Sequence, residues 1–226
     1  MCGRYVSPEE ASIEREFNLV HMEWQFPSSF NVAPTEEVPV VRLRKGERQG
    51  IRLRWGLIPY FAQGVPPKFS TINARIETLQ TAPSYRGPWS RGQRCLVVAQ
   101  GFYEWQTQFD GKSRVPYYIH LNDQEIFAFA GLWDSSRTAQ GTWVESCVHI
   151  TMRANHLLSE IHNTQHRMPA ILAREDREAW LSGSPDEASA ALKAYPDEHM
   201  VAWPVSSRVN KPANDDAQLI EPVCAA

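Results

Sequence analysis

The chain has 226 residues, of which 42% are hydrophobic and 22% charged, and its formal net charge is −3; this is the makeup of an ordinary globular protein, not of a disordered or fibrous one. A net negative chain carries no bulk basic field, so any contact with nucleic acid has to come from a local cluster of arginines. No apolar run approaches the roughly 20 residues of a membrane helix, no signal peptide is legible, and Cys2, Cys95, Cys147 and Cys224 are spaced too widely for a zinc site or a disulfide framework, so a reducing cytoplasm is the expected compartment.

In chain order, Ser7-Pro8-Glu9-Glu10 reads as a helix start. Ser7 would cap, Pro8 suits the first helical position, and Glu10 lies three residues after the cap. Ile13 and Phe17 then share one face. Val38–Leu43 and Ile51–Trp55 have strand character, the second alternating apolar residues with arginine. The stretch 72–78 reads as a loop-to-helix connection. Cys95–Ala99, Pro116–Leu121, Ile126–Trp133 and Trp143–Thr151 are further strands, separated by turn signals such as Asp110-Gly111 and Gln140-Gly141. Asn155–Ile161 and Arg174–Leu181 are short helices. Ser184-Pro185-Asp186-Glu187 repeats the helix-start signal before an Ala-rich segment that ends near Pro196, and Met200–Val205 is a last strand. The sum is a strand-dominated α+β fold, one domain over 1–226 with curved antiparallel sheets forming a partly open, barrel-like core and a loose tail at the last few residues.

The chemistry starts at Met1-Cys2-Gly3-Arg4. A small second residue permits removal of the initiator methionine, which would leave Cys2 with an α-amine beside its thiol. The reference pKa values are about 7.7–8.0 for the amine and about 8.5 for the thiol, so both supply nucleophile near neutral pH. Such an aminothiol suits an aldehyde: the amine gives a Schiff base and the thiol closes it to a thiazolidine. It can also attack acyl groups, with its own amine as base. Arg4 is a candidate for an anion.

Three internal segments place polar groups among apolar ones. In Ile72–Thr78, Asn73 offers an amide, Arg75 a guanidinium fork for phosphate, and Glu77 a partner for an arginine. In Arg94–Trp105, Glu104 lies between Tyr103 and Trp105, where desolvation would raise its pKa into the useful acid–base range. In Ile161–Pro169, His162 and His166 beside Arg167 suggest a proton carrier. The absence of an H-E-x-x-H pattern argues against metal, and no cofactor is called for.

These segments resemble the SRAP family, the SOS response-associated peptidase-like proteins that process abasic sites. The marks are Met1–Arg4, Asn31–Pro34, Arg54–Pro59, Asn73–Thr78, Gly101–Trp105, Ala130–Trp133, Arg167–Pro169 and Val205–Asn210. The resemblance implies a covalent thiazolidine between processed Cys2 and the ring-opened aldehyde of an abasic site in single-stranded DNA. Asn73 would orient the abasic sugar, Glu104 would assist ring opening, and His162 would serve Schiff-base chemistry. Arg4, Arg75 and Arg167 would lie near phosphates, and Pro34 would shape the bend of the strand. Two features depart from the family pattern. Phe61 stands where tryptophan is common, and still offers a face for stacking. Four residues separate His162 from Arg167, which leaves His166 as an alternative to His162. Weak strand-cleaving lyase activity, self-removal of Met1, a monomeric state and association with the nucleoid when bound to DNA are further expectations. The competing readings are a terminal-nucleophile cysteine peptidase or hydrolase, and a noncovalent single-strand binder.

Overall fold

The computed structural model describes residues 2–19, 24–25 and 27–223; Met1, Cys224 and the predicted C-terminal tail at 224–226 lie outside the described residues. The chain opens with β1 (Arg4–Ser7), α1 (Glu10–Phe17), β2 (Ser29–Val32), β3 (Glu37–Arg44), β4 (Glu47–Trp55) and β5 (Asn73–Arg75). The middle holds α2 (Pro83–Ser90), β6 (Arg94–Ala99), β7 (Gly101–Thr107), β8 (Arg114–Leu121), β9 (Phe127–Arg137) and β10 (Trp143–Arg153). The remainder is α3 (His156–Ile161), β11 (Arg167–Pro169), β12 (Ile171–Leu172), α4 (Arg177–Ser182), α5 (Pro185–Ala190) and β13 (Met200–Pro204).

β10, β4, β3, β6 and β9 pair in that order, and β9 pairs again with β10, so five strands close into a barrel. Closure removes the edges that an open sheet would expose. β5 and β11 extend the barrel on β10, and β12 extends it on β9. A second sheet, ordered β13-β8-β7-β1-β2, packs alongside. The sheets are not wholly antiparallel as predicted: β10 runs parallel to both β4 and β5. The barrel interior is apolar, with Val38, Val40, Leu53, Trp55, Val97, Phe129 and Cys147 among its buried residues. A second apolar layer lies under α1, α2, α4 and α5, where Ile13, Phe17, Trp89, Trp180 and Ala188 cluster with Leu96 and Leu132. Alternation explains the division: Leu96 and Val98 face the helices, whereas Cys95, Val97 and Ala99 face the barrel. No helix among the described residues is long and apolar enough to cross a membrane.

The first helix starts later than its capping signal implies. Ser7 is drawn into β1, so its hydroxyl donates to the Pro8 carbonyl and Glu9 becomes the cap residue without a side-chain cap. At α5 the same signal works in full: Ser184 and Glu187 form a reciprocal capping box. Residues 174–181 split into a 3-10 turn at Arg174–Asp176 followed by α4. The 72–78 stretch is a short strand, β5, leading into a 3-10 turn.

Candidate functional site

Pairing between the second sheet's strands delivers the head of the chain to Glu104. Arg4 lies opposite Tyr103 and Tyr5 opposite Phe102, so the residues entering β1 run beside Glu104 on β7. Along β7, Phe102 and Glu104 share one face because alternate residues do. Phe102 packs edge-on against Phe129 in the core. The carboxyl of Glu104 is therefore carried inward and is 2% exposed. Burial raises its pKa from the ordinary 4.5 to about 7, because the charged form is poorly solvated there. A carboxyl at that value exchanges protons readily at neutral pH.

Cys2 is fully buried, and its thiol points to the Arg4 carbonyl at 3.6 Å. Burial pushes the thiol pKa up, and the Glu104 charge pushes it further. The thiol is thus protonated in this state, with its proton among the groups that would have to move before it reacts. Asn73 comes from the other sheet: β5 pairs with β10, setting Asn73 opposite His149. The Asn73 side-chain amide donates to the Cys2 carbonyl at 2.8 Å. The Ile72 carbonyl next to it accepts from the Trp55 indole at 2.9 Å and from the His149 backbone at 3.2 Å. The Tyr85 hydroxyl donates to the Asn73 carbonyl at 3.4 Å.

His162 ends α3, whose start is capped by the Asn155 side chain accepting from Leu158 N at 3.0 Å. Leu158 and Ile161 anchor the helix in the core. The Gln106 amide donates to the Glu160 carbonyl at 3.1 Å, and Asn163 exchanges hydrogen bonds with the Thr107 backbone at 3.1 and 2.9 Å. These bonds hold His162 against the same strand that carries Glu104. The imidazole Nδ1 lies 2.9 Å from the Arg167 carbonyl and 3.3 Å from the Arg167 backbone nitrogen; we assign the proton to Nδ1 from the shorter contact, which makes Nε2 the accepting nitrogen. Burial lowers the His162 pKa from 6.5 to about 4, so the ring is neutral at physiological pH. His166, the alternative, faces solvent with φ +51°, and its Nδ1 lies 2.7 Å from the Ser159 hydroxyl. The buried histidine of the site is His162.

The remaining residues divide. Arg4 is half-buried, its guanidinium donating to the Gly3 carbonyl at 2.9 Å, and burial lowers its pKa while the Glu36 charge acts against that. Pro34 sits in the turn that Glu36 closes by accepting from Ala33 N at 2.9 Å. Thr35 N donates to the Trp55 carbonyl at 2.8 Å, which joins that turn to the end of β4. Arg75 is exposed on the same side of β5 as Asn73. Arg167, expected at a phosphate, is committed within the protein: its fork meets Glu77 at 2.6 and 3.0 Å and the Thr151 carbonyl at 2.7 Å. That pair holds the Glu77 carboxyl below its usual range. Phe61 stands apart, 51% exposed on the loop between β4 and β5.

Sequence reasoning missed a buried aromatic layer beneath the site. His149 stacks on Trp55 at 4.6 Å and meets Tyr5 edge-on at 5.6 Å. Neither ring nitrogen of His149 has a hydrogen-bond partner among the described residues, and its pKa falls from 6.5 to about 3 by burial. Its neighbours Cys147 and Val148 disguise it as one polar residue in an apolar strand.

Cys2, Asn73, Glu104 and His162 come from four separate stretches of the chain and converge where β1, β5, β7 and α3 meet. This defines the class: a strand-rich α+β protein with a buried cysteine–amide–carboxyl–imidazole site at the head of the chain. The chain belongs to the SOS response associated peptidase (SRAP) family, whose model matches residues 1–212. It is 38% identical over 228 residues to the abasic site processing protein YoqW of Bacillus subtilis, covering 98% of this chain and 99% of that one. It is 33% identical to the abasic site processing protein HMCES of Gallus gallus, covering 89% of this chain and 68% of the relative. A crystal structure of a Bacteroides thetaiotaomicron protein superposes with a TM-score of 0.87 at 28% identity, over 99% of this chain and 100% of that one.

Proposed function

We propose that this protein processes abasic sites, capturing them in single-stranded DNA through Cys2. The observation that carries the reading is the Asn73 amide on the Cys2 carbonyl at 2.8 Å, beside a carboxyl whose pKa burial raises to about 7. Fixing the backbone of Cys2 aims its nitrogen and sulfur together, which is what a two-bond capture requires. The peptidase of the family name fits one event at this site, hydrolysis of the peptide bond before Cys2, which frees the α-amine.

The chemistry then follows the aminothiol. Protonated Glu104 donates to the ring oxygen of the abasic sugar as its bond to C1 breaks, and the C1 hydroxyl passes its proton to neutral His162 as it becomes the aldehyde. The α-amine adds to the aldehyde carbon, and water leaves to give an imine. The thiol adds across the C=N bond, sulfur bonding to carbon and its proton passing to nitrogen, which closes a five-membered thiazolidine. Neutral His162 accepts and returns protons through Nε2 in these steps. β-Elimination from the imine would give weak strand cleavage. Arg4 and Arg75 meet the phosphates on either side, and the turn at Pro34 bends the strand. The protein acts as a single domain and a monomer in the cytoplasm, joining the nucleoid with its DNA.

The test is a denaturing gel of wild type and Cys2→Ala after mixing with a single-stranded oligonucleotide carrying one abasic site. A heat-stable shifted band in wild type alone is expected. A band of equal strength in Cys2→Ala would rule out capture through Cys2.

A further inference from the structure

The loop between β4 and β5 exposes Tyr60 and Phe61, 58% and 51% respectively, their rings edge to face at 5.5 Å. The guanidinium of Arg91 lies 5.2 Å over the Tyr60 ring. Trp143, at the start of β10, is 61% exposed, and the guanidinium of Arg137 lies 6.0 Å from its ring. Tyr60, Arg91, Arg137 and Trp143 line one open cavity of about 340 Å³. Two aromatic faces and two guanidinium groups are therefore gathered around one open cavity, with Phe61 against Tyr60 beside it.

The cluster is held in place from beneath. Asp134, 1% exposed, accepts from the Tyr60 backbone at 2.9 Å and from Arg91 at 3.0 Å. Ser136 accepts from the Gly64 backbone at 2.9 Å. These bonds pin the loop to β9, so the exposed rings are preset and lose little freedom on binding. Asp134 is the one carboxylate in the cavity lining, and it is spent on these bonds. Asp134 offsets the charge of Arg91, so the surface offers planar faces with Arg137 as its unbalanced positive charge, despite a chain whose net charge is −3.

The cluster also has a direction. Asn73 lies opposite His149 on β10, and Trp143 is six residues earlier on that strand. At about 3.3 Å per residue, Trp143 is about 20 Å from the Asn73 position, which a stacked strand at about 3.4 Å per nucleotide covers in about six nucleotides. Aromatic faces beside cationic groups suit a single strand, because every base has a face to stack and every linkage a phosphate.

We propose that Tyr60, Arg91, Arg137 and Trp143 extend the stacking place expected at Phe61 into an outlying contact for the DNA strand flanking the abasic site, reaching about six nucleotides from Cys2 to one side only. This rests on the abasic-site reading above. It makes affinity depend on the length of one flank, with the covalent step unchanged.

The test compares wild type, Trp143→Ala, Trp143→Phe and Arg137→Ala in crosslinking to three single-stranded oligonucleotides with one abasic site. The first has about two nucleotides on each side; the second and third extend the 5′ or the 3′ flank to about ten. On one long-flank oligonucleotide, Trp143→Ala and Arg137→Ala raise the half-saturating protein concentration about tenfold, and Trp143→Phe retains most of the wild-type value. On the other two, all four proteins agree, and the rate at saturation is the same throughout. No change on either long flank would overturn the proposal, and so would equal weakening on all three. Failure of wild type to crosslink any of them would instead overturn the abasic-site reading itself.

Discussion

Replacing Glu104 by glutamine is expected to stabilise the protein while disabling its chemistry. The carboxyl is 2% exposed and titrates at about 7 in place of the ordinary 4.5. Between these values the folded protein keeps a proton that the unfolded chain has released, so stability falls as pH rises across the window. At about 1.4 kcal/mol for each pH unit, the loss is roughly 3 kcal/mol once pH exceeds 7. Glutamine has the same shape and no charge to bury. The difference between Glu104→Gln and wild type is therefore small below pH 4.5, grows through the window, and levels off above pH 7 with the variant ahead by roughly 3 kcal/mol. For a chain of this size that is a rise of about 6–12 °C in melting temperature. Urea denaturation midpoints at intervals from pH 4 to 9 measure it. A difference independent of pH, or a less stable variant at pH 8, would refute the assignment of a buried carboxyl with a raised pKa.

Three further substitutions probe the frame around the site. His149→Phe keeps a ring between Trp55 and Phe129 but removes two nitrogens without hydrogen-bond partners among the described residues, and should add about 1–3 kcal/mol of stability. It should also remove acid sensitivity, since between pH 6.5 and about 3 the unfolded chain binds a proton that the buried ring refuses; thermal melts from pH 4 to 8 show whether the acid slope flattens. Gly101→Ala would set a methyl group on the Tyr118 ring, and should lower the urea midpoint by an amount equivalent to at least about 1–3 kcal/mol. Asn73→Ala removes the amide from the Cys2 carbonyl, and should slow crosslinking about tenfold to a hundredfold in single-turnover assays, with little change in the protein concentration giving half-saturation.

The longer strands of both sheets were legible because their apolar residues run or alternate, and β3, β4, β6, β8, β9, β10 and β13 fall within a few residues of the expected spans. What escaped was structure made by distant partners. β5 is three residues long and exists because it lies along β10. β1 takes Ser7 from the helix its sequence advertises, because strand pairing with β7 and β2 outweighs a cap worth about 1 kcal/mol. α2 contains Gly87 and Pro88, both poor helix residues, and is held by burial of Tyr85 and Trp89. At the site, residue types were readable and commitments were not. Arg167 looks like a free cation in sequence, yet Glu77 holds it, ninety positions away. The burial that separates His162 from exposed His166 is not revealed by the run Ile161–Pro169.

The central claim is that Cys2 captures an abasic site covalently, and intact-protein mass spectrometry tests it most directly. Purified wild type and Cys2→Ala are each mixed, without reductant, with a single-stranded oligonucleotide carrying one abasic site. The account predicts wild-type protein lacking Met1 and heavier by the oligonucleotide minus one water, stable to heat and borohydride, with Cys2→Ala unshifted. Folded wild-type protein that has lost Met1 and gains no mass would contradict it.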